Sequence, residues 1–362
     1  MTAPSALRPL GTRLRGTAAR VAGLVATPLV PADYLDLLDP LRSGSRPRAR
    51  VLAVQPETAD AATLLLRPGR GWTGHVPGQY VRLGVDVDGV RLWRAYSVTS
   101  PPRTDGRISI TVKAIEGGVV SNHLVRRARP GTVVQLDRAA GDFVLPDPRP
   151  DRVLFVAAGS GITPVMGMLR HAAAELRDVV LVHCARTADD AIFGAELRAL
   201  ARTGRLRLVE WHSATAGLLT PQALAAAVPD LADRETWACG PTGLLDALDA
   251  YWADRGVADR LHTERFRPTV VVAGDGGTVT FARTGRTVAA DGGTPILDAG
   301  EGAGVLMPSG CRMGICFGCV LPLREGAVRD LRTGDLTTAA PGDGVKVQTC
   351  ISAAAGDCVL DL

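Results

Sequence analysis

The chain has 362 residues, 46% apolar, 22% charged and 4% aromatic, with a formal net charge of +4. That length allows two or three domains, and the ordinary apolar and charged content excludes a wholly disordered chain. The longest apolar run, Val21 to Val30, is broken by Pro28 and falls short of the ~20 residues of a membrane-crossing helix.

The charge is unevenly placed. Residues 1–32 carry Arg8, Arg13, Arg15 and Arg20 and no acid, so the rest of the chain is neutral. One short basic arm is not the basic stripe of a nucleic-acid binder, and no nucleic-acid partner is expected. Lys113 and Lys346 are the only lysines. The arginine excess is therefore a compositional bias and says little about phosphate binding.

Residues 1–45 read as an arm. Tyr34, Leu35, Leu37, Leu38 and Leu41 would share one face of a short helix with Asp33 near its cap. Basic, apolar and small residues follow one another as in a secretory signal, but the apolar part is short, contains Pro28 and precedes no A-x-A site. The arm is expected to pack on the next domain or to lie on a surface. Four arginines at ~1 kcal/mol each would give only weak, peripheral association with anionic lipid. The expected location is cytoplasmic, with at most a peripheral hold on the inner membrane face.

Residues 46–147 show strand alternation at Ala49–Val54, Thr63–Leu66, Tyr80–Val85, Leu92–Val98 and Ile108–Val112. Pro77-Gly78, Asp88-Gly89, Asp105-Gly106 and Pro130-Gly131 mark turns between or after them. This predicts an antiparallel β-barrel domain.

In residues 148–267 the rhythm changes to α/β. Buried strands are expected at Val153–Ala158, Val179–Cys184, Leu206–Trp211 and Thr236–Cys239. Helices are expected at Thr163–Arg177, Gly194–Ala201, Thr220–Ala227 and Thr242–Asp254. The alternation predicts a parallel sheet.

Residues 268–362 restart with a hairpin, Thr278–Ala282 and Arg286–Ala290, then a helix from Pro295 to Glu301 and a loop rich in Gly and Cys. Cys311, Cys316 and Cys319 stand in C-x4-C-x2-C spacing, and Cys350 follows. That is the plant-type ligand spacing of a [2Fe–2S] cluster. Gly310, Gly314 and Gly318 remove Cβ atoms where backbone must approach sulfur. A structural zinc usually wants two C-x2-C pairs, and a disulfide framework does not suit a long chain with no secretion signal. Cys184 and Cys358 are expected as core thiols.

This segment resembles a plant-type ferredoxin domain, an α+β β-grasp fold. Arg94-Ala95-Tyr96-Ser97 resembles the R-x-Y-S flavin motif of the ferredoxin–NADP reductase superfamily. Gly117-Gly118 and Ser121, at a predicted helix start, resemble its second phosphate-binding motif, and Pro77-Gly78-Gln79-Tyr80 the turn that opens a flavin-facing strand. Gly159-Ser160-Gly161-Ile162-Thr163-Pro164 is similar to its G-x-G-I-x-P loop, and Cys239-Gly240-Pro241 to its C-G-P motif. The resemblance implies FAD held by Arg94, Tyr96 and Ser97, with the Ser97 hydroxyl at flavin N5. It implies a nicotinamide nucleotide on Gly159, Gly161 and Thr163, with Cys239 beside the nicotinamide. Arg186, after the second α/β strand, would accept a 2′-phosphate, favouring NADPH over NADH, while Asp189 and Asp190 would instead suit the 2′-hydroxyl of NADH. Phe266 is either an aromatic against the flavin ring or a hydrophobic plug at a domain seam.

The implied activity is an NAD(P)H-dependent reductase. Electrons would pass from NAD(P)H through FAD and [2Fe–2S] to a protein acceptor. The arm and domain order resemble partners of fatty acyl desaturases; similar reductases serve oxygenases, hydroxylases and P450 enzymes. A redox sensor is the reading from another class. Residues 271–362 carry seven basic and ten acidic side chains, which suits docking to a basic acceptor. The oligomeric state is not legible in the sequence.

Overall fold

The computed structural model describes residues 41–42, 47–266, 272–310, 312, 314 and 317–362. Most of the basic arm with its predicted helix, the boundary at Pro268, and Cys311 and Cys316 lie outside the described residues.

Six antiparallel strands form the first sheet: β1 (Arg48–Thr58), β2 (Ala61–Pro68), β3 (Tyr80–Val87), β4 (Val90–Ser97), β5 (Ile108–Lys113) and β6 (Val133–Leu136), in the order β4-β3-β6-β1-β2-β5. The bridge between Val98 and Ile110 joins its two edges and closes a barrel. Alternate residues fill the interior, among them Val51, Leu64, Leu66, Val81, Leu83, Ile108 and Ile110. Helix α1 (Val119–Arg126) adds Val120 and Leu124 to this core. Strand β6 was not expected, being four residues long without a clear alternation.

The second sheet is parallel throughout: β7 (Arg152–Ala158), β8 (Asp178–Ala185), β9 (Arg207–His212), β10 (Glu235–Cys239) and β11 (Leu261–Glu264), in the order β11-β10-β7-β8-β9. Helices α2 (Ile162–Ala172) and α3 (Gly194–Arg202) share one core with its first face, and α4 (Pro221–Ala227) and α5 (Thr242–Ala253) share another with its second. Thr220 caps α4, its hydroxyl accepting the Ala223 N–H at 3.2 Å. Helix α2 ends five residues before the expected Arg177, because the Glu175 and Leu176 amides turn back onto the Ala172 carbonyl. Strand order reverses direction between β7 and β10, and open α/β sheets bind ligands at the carboxyl ends flanking such a reversal.

The third sheet is mixed. Strands β12 (Gly277–Phe281), β13 (Arg286–Ala290), β14 (Val320–Asp330), β15 (Leu336–Ala339), β16 (Lys346–Gln348) and β17 (Ser352–Leu360) pack with helix α6 (Ile296–Gly302). β12 runs parallel to β17, and the other pairings are antiparallel. This is the expected α+β arrangement.

The three units join differently. Ala61, Phe143 and Leu145 of the barrel segment share one continuous apolar cluster with Phe155, Met166 and Met168 of the α/β unit. The third unit keeps a core of its own. No helix among the described residues is long and apolar enough to cross a membrane.

Candidate active site at the barrel seam

Strand β4 ends at Ser97, which pairs across the sheet with Tyr80. Ser97 is 3% exposed, and its Oγ has no hydrogen-bond partner among the described residues. A buried hydroxyl left in this state is completed by a ligand or water. The next residues are fixed to the α/β unit. A Cβ on Gly167 of α2 would come within 2.5 Å of the Val98 carbonyl. Arg170 of α2 donates to the Thr99 carbonyl at 2.8 Å and forks onto Glu196 at 2.9 and 2.6 Å. Ser97 therefore stands where barrel and parallel sheet meet.

Its neighbours divide. Tyr96 packs half-buried against the barrel core, and burial pushes its phenol pKa up. Arg94 donates to the Trp93 carbonyl at 2.8 Å and lies 3.8 Å from Glu301 of the third unit. Gly117 takes a positive φ of 67° and Gly118 caps α1. The Ser121 hydroxyl is spent inside that turn, accepting from the Ile115 amide at 3.3 Å and donating to the Gly118 carbonyl at 3.2 Å. What the turn can offer an anion is its first main-chain N–H groups, which have no acceptor within a helix.

On the other side of the seam, the turn Gly159–Gly161 follows β7 and lies against β5 of the barrel. Its two glycines have different reasons. Gly159 has φ 56° and open space where a Cβ would stand. Gly161 has none: its Cβ would meet the Cys239 carbonyl. Gly161 is thus a packing glycine between β7 and β10, and only Gly159 leaves backbone open to a pyrophosphate. Thr163 is 2% exposed and donates to the Ser160 carbonyl at 2.9 Å, so its hydroxyl closes the turn and keeps its lone pairs for an outside donor. Gly240 packs against Ala158, and Pro241 precedes α5, its carbonyl accepting the Leu244 and Leu245 amides.

Cys239 has no exposed surface, and burial raises its thiol well above the usual value. It backs the site and is neutral. Beside it, in register on β11, stands Glu264. Burial pushes the Glu264 carboxyl up to about 8, and its Oε2 has no partner among the described residues. Arg265 ties this strand end to α5 through Asp246 at 2.7 Å and Asp249 at 2.6 Å. Glu264 was missed as a site residue because β11 was not read as a strand. The acid in Glu264-Arg265-Phe266, just before the linker, was the available signal. Phe266 is 40% exposed. Arg186 lies just beyond β8 with an 82% exposed side chain, 3.8 Å from Asp190.

In the third unit, Cys319 and Cys350 are 1% and 3% exposed. Thr349, fully buried, donates both its amide (3.2 Å) and its hydroxyl (3.0 Å) to the Cys319 carbonyl. Gln348 donates to the Gly314 carbonyl at 3.0 Å. The residues before the fourth cysteine thus clamp the loop that bears the first three. Cys184 and Cys358 are buried core thiols, their pKa values pushed up by burial to about 12 and about 11.

Family models match each unit in turn: an oxidoreductase FAD-binding domain over residues 59–145, an oxidoreductase NAD-binding domain over 155–249, and a 2Fe-2S iron-sulfur cluster binding domain over 279–355. An NADPH oxidoreductase of Mycobacterium tuberculosis strain H37Rv is 50% identical over 351 residues, 95% of this chain and 91% of that protein. The chain belongs to the ferredoxin–NADP reductase family. The reductase is also 33% identical, over 77% of its length and 86% of the relative's, to the ferredoxin reductase component of 3-ketosteroid-9-alpha-monooxygenase from Mycolicibacterium smegmatis. Its fold matches phthalate dioxygenase reductase with a TM-score of 0.60 at 23% identity, covering 87% of this chain and 97% of that one. The reductase is an oxidoreductase of FAD, NAD(P)H and a [2Fe–2S] cluster. The residues fit these groups: among the described residues, a buried hydroxyl at Ser97 and a buried carboxyl oxygen at Glu264 have no partner, and Gly159 leaves open space.

Proposed function

We propose that the reductase takes a hydride from NADPH at the barrel seam and passes electrons singly through its cluster to a fatty acyl desaturase. The observation that carries the reading is a pair of buried groups without a partner among the described residues: Ser97 at the end of barrel strand β4, and Glu264 beside Cys239, which belongs to the apolar cluster the two units share. When bound, the flavin supplies the exchange between paired and single electrons, which neither nicotinamide nor cluster can make alone. Ser97 offers a hydrogen bond at the flavin edge, and Tyr96 packs along it. The first amides of α1, around Gly118, receive a flavin phosphate, aided by the helix dipole. Gly159 admits the nucleotide pyrophosphate. Neutral Glu264 holds a proton at its Oε2 beside the reacting groups. Phe266 covers the flavin face, and Cys311, Cys316, Cys319 and Cys350 ligate the cluster.

Exposed Arg186 supports NADPH as the donor, as does the activity named for the 50% identical relative. The resemblance of the arm and the domain order supports the desaturase. The names of several relatives favour a second reading, the reductase component of an oxygenase. A redox sensor would need no nicotinamide unit. Weak membrane association through the basic arm would bring the reductase to a membrane-bound acceptor.

The test uses the cofactor-loaded chain. NADPH should drive reduction of ferricyanide and of an acceptor co-purified from the host, at lower concentration than NADH. Cys316→Ser should keep ferricyanide reduction and lose transfer to the protein acceptor. Retained transfer would overturn the electron path.

A further inference from the structure

We infer that Glu301 is an interdomain latch: its carboxylate, shared by Arg94 of the barrel and Arg312 of the cluster loop, docks the ferredoxin-type domain where it receives electrons. The inference rests on the electron path proposed above. Glu301 lies at the end of α6. Its carboxylate accepts from Arg312, whose other guanidinium nitrogen pairs with Asp298 on the same helix. Arg94 approaches the same carboxylate at 3.8 Å. All three side chains are about three-quarters buried.

The placement matters because of what each residue adjoins. Arg94 precedes Ser97 by three positions on β4, and Arg312 follows the first cluster cysteine directly. One carboxylate therefore bridges the flavin-side strand and the cluster-side loop. This ion pair is a direct polar link between barrel and ferredoxin-type domain. Among the described residues, the apolar cluster that welds barrel to α/β unit has no counterpart there, since the third core stays within its own domain. Charge thus contributes to docking. Without Glu301 the two guanidinium groups would face each other in a partly buried setting, where leaving charges unpaired is costly. Burial and the nearby Arg312 charge already lower the Arg94 pKa. The redox balance is unchanged by the latch: each NADPH gives two electrons as one hydride, these leave singly through the cluster, and NADP+ and a proton remain.

The test compares Glu301→Gln with Asp298→Asn in the full, cofactor-loaded chain. Asp298→Asn removes a local partner of Arg312 and no interdomain contact. Glu301→Gln should slow NADPH-driven bleaching of the cluster about tenfold, within the ~100-fold that a misplacement of about 1 Å can cost. Ferricyanide reduction, drawn from the flavin, should stay within about twofold. Small-angle scattering should show an expanded chain for Glu301→Gln and not for Asp298→Asn. Wild type in about 1 M salt, where the Debye length is ~3 Å, should shift toward the variant profile. Glu301→Asp should restore much of the rate. Wild-type scattering and bleaching by Glu301→Gln would overturn the latch, as would equal effects of the two variants. If Glu301→Gln loses its cluster, scattering against cluster-stripped wild type decides in the same way. If wild type itself fails to bleach with NADPH, the electron path falls, while scattering still judges the latch.

Discussion

The Cα of Gly161 rests on the main-chain carbonyl of Cys239, so closely that a Cβ would lie 2.1 Å from the oxygen. Both partners are backbone, and neither can rotate away. Gly161→Ala should therefore cost about 2–3 kcal/mol of stability by overpacking. Gly159→Ala meets open space but keeps a left-handed φ, and should cost ~1–2 kcal/mol. Dinucleotide affinity should fall more in Gly159→Ala, relative to its loss in Tm. Thermal unfolding and equilibrium NADPH binding on both variants make the comparison; identical profiles would refute the division of roles.

Ser97 gives a sharper contrast between loaded and empty protein. Its hydroxyl has no partner among the described residues, so Ser97→Ala should leave the Tm of the flavin-free chain unchanged or slightly raised. In the loaded chain one hydrogen bond is lost, and flavin reduction by NADPH should slow about tenfold. Stopped-flow absorbance reads the rate. A destabilised flavin-free variant would mean that the hydroxyl already has a structural use.

Glu264 predicts a pH effect of definite sign. Its carboxyl moves from the usual 4.5 up to about 8 in the folded state, through burial. Between those values the native state binds a proton that the unfolded chain releases, so stability falls as pH rises and levels off above about 8. The full shift caps this at about 5 kcal/mol. Glu264→Gln, which stays neutral, should gain Tm over wild type as pH is raised from about 5 to about 9. A gain that shrinks with rising pH would show that Glu264 is ionised in the native state.

Thr349 tests the cluster loop without touching a cysteine. Thr349→Val removes the hydroxyl bond to the Cys319 carbonyl and leaves the amide bond in place. The loss should be about 1 kcal/mol, seen as several-fold faster bleaching of the cluster by a chelator. Unaltered bleaching would place the loop's stability elsewhere.

Pattern carried most of the architecture. The alternation of Val81, Leu83 and Val85, or the unbroken run Val153–Ala157, states which faces are buried before any coordinates do. What escaped were the elements whose reasons are not periodic. β6 and β11 have four residues each, too few for a period, and exist because neighbouring strands need partners. Motif resemblance named Ser97, Cys239 and Gly161, but a motif does not distinguish a glycine that faces a ligand from one that faces a carbonyl. Nor does it reveal that Ser121 and Thr163 donate their hydroxyl protons to their own turns. Glu301 and Arg94 lie more than two hundred positions apart, and only the fold brings them together.

The unequal seams set where this molecule can be rebuilt. Separating barrel from α/β unit would strip Phe143, Leu145 and Met168 of their cover and leave two sticky halves. The ferredoxin-type domain, with a private core and an ionic attachment, is the exchangeable part. A chimera that grafts another ferredoxin after Phe266 should fold whenever the graft brings its own core, and should conduct well only when it supplies an acid opposite Arg94. Choice of acceptor and rate of internal delivery could then be engineered as separate traits.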